Sequence, residues 1–202
     1  MANTNLLKRI MLVDPLYRIR SRREEHEIKV YVFVDTSGSM FSTLEEKYEI
    51  PRGVDFALSI AFSVLRLLIA RKFKLTGVIG FFSDKRDNFT CGEEKCYTLH
   101  EYINLEVKPY VDYLLLRGTT LADLRPSEIR MSIATGGTNP APLQEYIFKK
   151  YGAPAIQFLV TDGYTPPIKT FGVQTVVYIV PGGTKPKCEG ECEVVFVEVS
   201  KD

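Results

Sequence analysis

The stretch VYVFVDTSGSM, from Val30 to Met40, decides how this chain folds. Five β-branched or aromatic residues empty into Asp35, and Ser37 and Ser39 follow at alternate positions, a D-x-S-x-S pattern with Gly38 between the serines to let the backbone turn sharply. Such a loop offers oxygen ligands and little else. Hard divalent cations prefer oxygen, and Mg²⁺ takes a near-octahedral shell in which it keeps several waters. One carboxylate and two hydroxyls on a tight loop therefore make half a site, and the other half must come from elsewhere. The same residues also have a plainer reading as turn caps, because Asp and Ser bond nearby backbone amides readily.

Working outward, Ile28 to Val34 is the kind of apolar run buried in a parallel sheet, and Val54 to Arg71 behind it is apolar nearly all round at helical length. A strand followed by a crossover helix is the natural reading. Thr76 to Phe82, Ala155 to Thr161, Gln174 to Val180 and Val194 to Val199 repeat the strand signature. Between them, Pro140 to Tyr151 places Leu143, Tyr146, Ile147 and Tyr151 on one face, with Asn139 as a capping residue and Gly152 past the end. Pro126 to Ile133 reads as another short helix. Leu99 to Leu124 mixes strand-like and helix-like periods and is broken by Pro109 and Gly118, so a third strand with a short helix and an insertion both stay open.

Strands alternating with helices predict an α/β fold: a Rossmann-like three-layer α/β/α domain whose sheet of about six strands is mostly parallel, with at least one antiparallel edge strand. In such folds the ligand site lies outside the carboxyl ends of the strands. Asp35 ends one strand, and Asp162, in FLVTDG, ends another. Thr138, in ATGGTNP, sits on a glycine-freed loop just before the helix near Pro140, although Gly136 and Gly137 also suit the end of a preceding helix. Asp84, in FFSD, is one more acidic residue at a strand end, read first as a turn residue.

These three loops, in this chain order, resemble a von Willebrand factor A (VWA) domain with a metal-ion-dependent adhesion site (MIDAS), in a compact prokaryotic or viral form. The match runs in order from about Ile28 to Val180. The resemblance implies Mg²⁺ (or Mn²⁺ or Ca²⁺) ligated through the hydroxyls of Ser37, Ser39 and Thr138, with Asp35 and Asp162 holding it mainly through bound water. A first shell of hydroxyls leaves the cation's charge poorly neutralised, so an open position attracts an anionic oxygen. The function it implies is noncatalytic capture of an Asp or Glu on a partner protein, and resemblance to prokaryotic VWA proteins allows a complex containing an AAA+ ATPase.

Two other classes are weighed. An Mg²⁺-dependent hydrolase or phosphotransferase wants a nucleophile, a general acid or base and cations on the phosphate. Position 37 is serine, so no D-x-D pair exists, and the two histidines, His26 and His100, fall outside all three loops. A ribonucleoprotein component is the other, since some carry VWA domains. The net charge of +1, from 26 basic and 25 acidic residues, gives no overall field toward nucleic acid or an anionic membrane. The densest basic run, Arg18, Arg20, Arg22 and Arg23, is followed at once by Glu24, Glu25 and Glu27 and reads as a solvated surface segment.

The 202 residues, 45% hydrophobic, suit one domain over 28–202 with an N-terminal extension over 1–27. The start lacks a secretory pattern, and Phe56 to Ala70, carrying Arg66, is short for a membrane span, so the expectation is a buried core helix in a cytoplasmic protein.

The four cysteines form two local pairs, Cys91 with Cys96 in CGEEKC and Cys188 with Cys192 in CEGEC. In the strand order that the resemblance implies, the pairs lie at opposite edges of a six-stranded sheet, about 24 Å apart at about 4.8 Å per strand. That argues against a joint metal site. Two local disulfides are favoured over free thiols and metal, and in an intracellular protein they point to a thermophilic source. Pro181 to Glu193, PGGTKPKCEGECE, cannot form the usual helix, and Pro166 and Pro167 shorten or remove the one after Asp162. The expectations are a hairpin for the last strand and a thinly covered sheet face open to a partner.

Overall fold

The computed structural model describes residues 27–42, 44, 52–83, 113–119 and 137–198. The strands among them are β1 (Glu27–Asp35), β2 (Lys74–Phe82), β3 (Tyr113–Thr119), β4 (Ile156–Thr161), β5 (Ile168–Lys169), β6 (Gln174–Ile179), β7 (Cys188–Glu189) and β8 (Glu193–Phe196). The helices are α1 (Gly53–Ala70) and α2 (Ala141–Tyr151), and a short 3₁₀ helix covers Gly38–Phe41. Six strands form one sheet in the order β3-β2-β1-β4-β6-β8, and β5 pairs with β7 alone. Every neighbour in the large sheet is parallel except β3, the antiparallel edge strand on β2.

Alternation along β1 sends its side chains to two cores. Val30, Val32 and Val34 join the buried face of α1, whereas Tyr31 and Phe33 join Leu143 and Ile147 of α2 on the other side. The result is the three-layer α/β/α arrangement expected. α1 runs 18 residues, within one residue at each end of the Val54 to Arg71 helix expected, and among the described residues it is the one helix long and apolar enough to cross a membrane by length and composition. In this fold its apolar residues from Val54 to Leu68 pack on the sheet. α2 begins where expected: Asn139 Oδ1 accepts the Ala141 N–H at 3.1 Å, and Gly152, with φ of 77°, ends the helix by donating to Phe148 O.

Three expectations need correction. The final strand does not fold back as a hairpin, because β8 runs parallel to β6, with Val177 level with Val194. The sheet face beyond α2 is not thinly covered either. Ile168 of β5 is fully buried there with Val177 and Ile179, and Cys188 and Cys192 pack against the same cluster, so an extended strap replaces the missing helix. Gly118 does not break the chain but lies inside β3 at φ of 59°, which assigns a portion of the ambiguous Leu99 to Leu124 segment to strand. Pro126 to Ile133, Asp84, Gly136, Cys91, Cys96, the two histidines and the N-terminal extension through Glu25 and His26 lie outside the described residues.

Candidate metal centre

Parallel register sets the two aspartates side by side. Val34 is level with Val160 in the β1–β4 ladder, so Asp35 comes level with Thr161 and Asp162 lies one residue above. The Thr161 hydroxyl donates to Asp35 Oδ2 at 2.6 Å and accepts the Gly163 N–H at 3.1 Å, joining the ends of β1 and β4. Asp35 Oδ1 accepts the Ser37 N–H at 2.8 Å. Each oxygen of that carboxylate keeps a lone pair for another partner. Asp162 Oδ1 accepts the Tyr164 N–H at 3.1 Å, the local turn that Asp forms readily.

The loop after β1 is pinned from a third strand. Thr36 donates its N–H and its hydroxyl to the same acceptor, Phe82 O, at 2.8 and 3.0 Å. The turn itself is the 3₁₀ helix, whose first residue, Gly38, needs no positive φ, so the sharpness expected of glycine comes from 3₁₀ geometry instead. Ser37 Oγ and Ser39 Oγ lie 3.2 Å apart. Adjacent ligands of an octahedral Mg²⁺, bonded at 2.0–2.1 Å, stand about 3 Å apart, so the two hydroxyls are spaced close to one edge of such a shell. Thr138 is half-buried in the extended lead into α2. A helix that crosses back before a parallel strand starts at the carboxyl end of the sheet, which puts Thr138 at the same end as Asp35 and Asp162. It enters none of the hydrogen bonds that link Asp35, Ser37, Ser39 and Thr161.

Electrostatics favour a cation. Asp35 has no exposed surface, and burial pushes its carboxyl up to about 6; the bonds from Thr161 and Ser37 pull it back, and the charge of Asp162 adds a smaller push upward. A buried carboxylate left undercompensated, with a second acid beside it, is what a divalent cation would stabilise. Among the described residues no three His, Cys, Asp or Glu side chains gather. The donor set is instead two carboxylates with hydroxyls, which fits oxygen-loving Mg²⁺ better than zinc.

Two positions that hold the candidate site together are not legible in the sequence. Thr161 read as the end of a strand, yet its hydroxyl is the bridge between the aspartate loops. Thr36 filled a variable place in D-x-S-x-S, yet it ties the loop to β2. The signal for Thr161 was its place directly before Asp162, which parallel pairing turns toward Asp35. Of the cysteines, Cys188 and Cys192 form the expected local disulfide.

No protein-family model matches the chain, and no curated protein does. Among solved structures, the chain is similar to an aerotolerance-related membrane protein from Bacteroides fragilis NCTC 9343 carrying multiple mutations to serines, at 16% identity and a TM-score of 0.35, over 81% of this chain and 74% of that one.

Proposed function

We propose that the chain is a VWA-type binding module in which Asp35, Ser37, Ser39, Thr138 and Asp162 hold Mg²⁺, or Mn²⁺ in its place, to capture an acidic group of a partner protein. The observation that carries this is the buried, undercompensated Asp35 carboxylate beside two hydroxyls 3.2 Å apart. When bound, the cation supplies a positive centre with a position open to an outside carboxylate. The chain's own residues do the rest: Thr161 and the Ser37 amide hold Asp35, Thr36 fixes the loop on β2, and the Tyr164 amide fixes Asp162. Tyr164, 64% exposed directly after this turn, offers a partner an aromatic contact at the rim. Capture is favoured over turnover because position 37 is serine, so the loop after β1 carries no second carboxylate to pair with Asp35 as nucleophile and acid or base.

Mg²⁺ or Mn²⁺ at saturation should raise the thermal midpoint by several degrees. A ligand at about 100 times its Kd adds about 2.7 kcal/mol, and about 2–4 °C accompany each kcal/mol for a chain of this size. Asp35→Ala should remove most of the rise; a wild-type midpoint indifferent to both metals sinks the site. Capture is tested separately by retaining partners on immobilised protein and eluting with chelator. A partner held equally in chelator contradicts a metal bridge.

A further inference from the structure

The strap from Pro181 to Cys192 touches the candidate centre at one end and closes on itself at the other. At the upper end Thr184 N–H donates to Asp162 O at 2.8 Å, and Gly183 N–H closes a turn onto Val180 O at 3.0 Å. The backbones approach so closely that a Cβ on Gly163 would lie 1.7 Å from Thr184 O, and one on Gly183 would lie 2.5 Å from Asp162 O. Only glycine on both segments permits this seat, so the strap's position and that of the Asp162 turn are one variable.

Below the seat the strap has little of its own to hold it. Two glycines and two prolines between Pro181 and Lys187 deny it helix, and its one strand, β7, is two residues long. Ile168 N–H donates to Lys187 O at 2.9 Å, and Thr170 donates its amide and hydroxyl to Glu189 O. A further anchor is the Cys188–Cys192 disulfide, packed with Ile168, Val177 and Ile179 under the strap.

We propose that the Cys188–Cys192 bond is a redox-sensitive positioning device for Asp162, so that its reduction lowers the affinity of the centre for divalent metal. This device presupposes the metal-binding reading of the centre. An external dithiol would deliver two electrons and two protons to the bond, giving two thiols and leaving as a disulfide itself. Two separated thiols no longer fix the lower end of the strap, and the Gly183–Thr184 seat against Asp162 loosens with it.

The test titrates Mn²⁺ into the full chain, reading free Mn²⁺ by electron paramagnetic resonance, for oxidised protein, dithiol-reduced protein and the double variant Cys188→Ser, Cys192→Ser. The variant isolates this bond from any effect at Cys91 and Cys96. Reduction and the variant should each weaken Mn²⁺ at least tenfold. In metal-free protein, exchange of the Thr184 amide should quicken by a similar factor while the amides of β1 and β4 stay protected. Equal affinity with unchanged Thr184 exchange overturns the proposal, and so does loss of protection throughout β1 and β4, which would make the bond a staple of the whole fold. If oxidised protein binds no Mn²⁺, the metal reading fails, and Thr184 exchange alone then decides whether the bond holds the Asp162 turn.

Discussion

A carboxylate with no exposed surface, bonded to one hydroxyl and one amide, is held in place but not neutralised. Asp35 binds its proton more tightly in the folded chain, at about 6, than the ordinary 3.8 of an unfolded aspartate. The metal-free fold therefore loses stability as pH rises from about 4 to about 6 and does not regain that loss above it. A gap of two pH units corresponds to roughly 3 kcal/mol at most, and relaxation around a buried charge leaves about 1–2 kcal/mol. Asp35→Asn removes the charge, keeps an oxygen for the Ser37 amide and turns its nitrogen to Thr161. In chelator at pH 7.5 this variant should unfold at higher urea than wild type by about 1–2 kcal/mol, with the difference fading near pH 4; a destabilised variant at pH 7.5 would contradict the electrostatic account. The D-x-S-x-S motif was legible because its spacing is local. Thr161 was not, because its role depends on a strand register that brings together residues 126 apart in the chain.

Among elements, the strap shows where periodicity stops informing. Prolines and glycines tell that no helix forms over Pro181 to Glu193 and that the one after Asp162 is short or missing, which the structure bears out, but not what covers the sheet in its place. The answer lies in a pair of buried glutamines that the apolar strand pattern concealed. Gln157 Nε2 donates to Lys169 O and Thr170 O at 3.1 Å and to Thr175 Oγ1 at 2.9 Å, while Gln157 Oε1 accepts from Gln144 of α2 at 3.0 Å. One side chain thus ties α2, β4 and β5 together, sharing Lys169 O with Gln144 Nε2 and Thr170 O with the Val173 N–H. Gln157→Leu keeps volume and removes all four of these bonds, each worth about 0.5–1.5 kcal/mol net, while Lys169 O keeps Gln144 Nε2 and Thr170 O keeps the Val173 N–H. Urea unfolding should show a loss of about 2–4 kcal/mol. A loss below about 0.5 kcal/mol would mean that β5 is held by its apolar contacts and its pairing with β7.

At the scale of the molecule, the mostly parallel sheet and its two-sided core follow from alternation of apolar runs, which is why the α/β class could be read before any coordinate. The closeness of the strands could not. Gly77 lies in the middle of β2 at φ of +127°, opposite Val30, and a Cβ there would lie 1.8 Å from Val30 O and 3.0 Å from Val30 N. Sequence showed only a glycine inside TGVIGFF, an ordinary weakness in a strand. In the structure this residue sits beside the irregularity at Leu75 and Thr76, where the antiparallel edge strand shifts register on β2. Gly77→Ala must push the β1 and β2 backbones apart at the centre of the sheet and also force a side chain into a φ that L residues rarely adopt. Both costs fall on the strand that feeds Phe82 O to Thr36, so the damage should reach the candidate centre. The expected outcome is destabilisation of about 3 kcal/mol or more by urea unfolding, together with a weaker Mn²⁺ response in whatever fraction stays folded. Gly118→Ala is the control, since its φ of +59° is also unusual but nothing lies within 4 Å of the added Cβ. If the two variants lose equal stability, backbone conformation alone sets the cost. A much larger loss at Gly77 reflects the close approach of β1 and β2 together with a φ of +127° that lies beyond the left-handed region of Gly118, and the position of Asp35 depends on that approach.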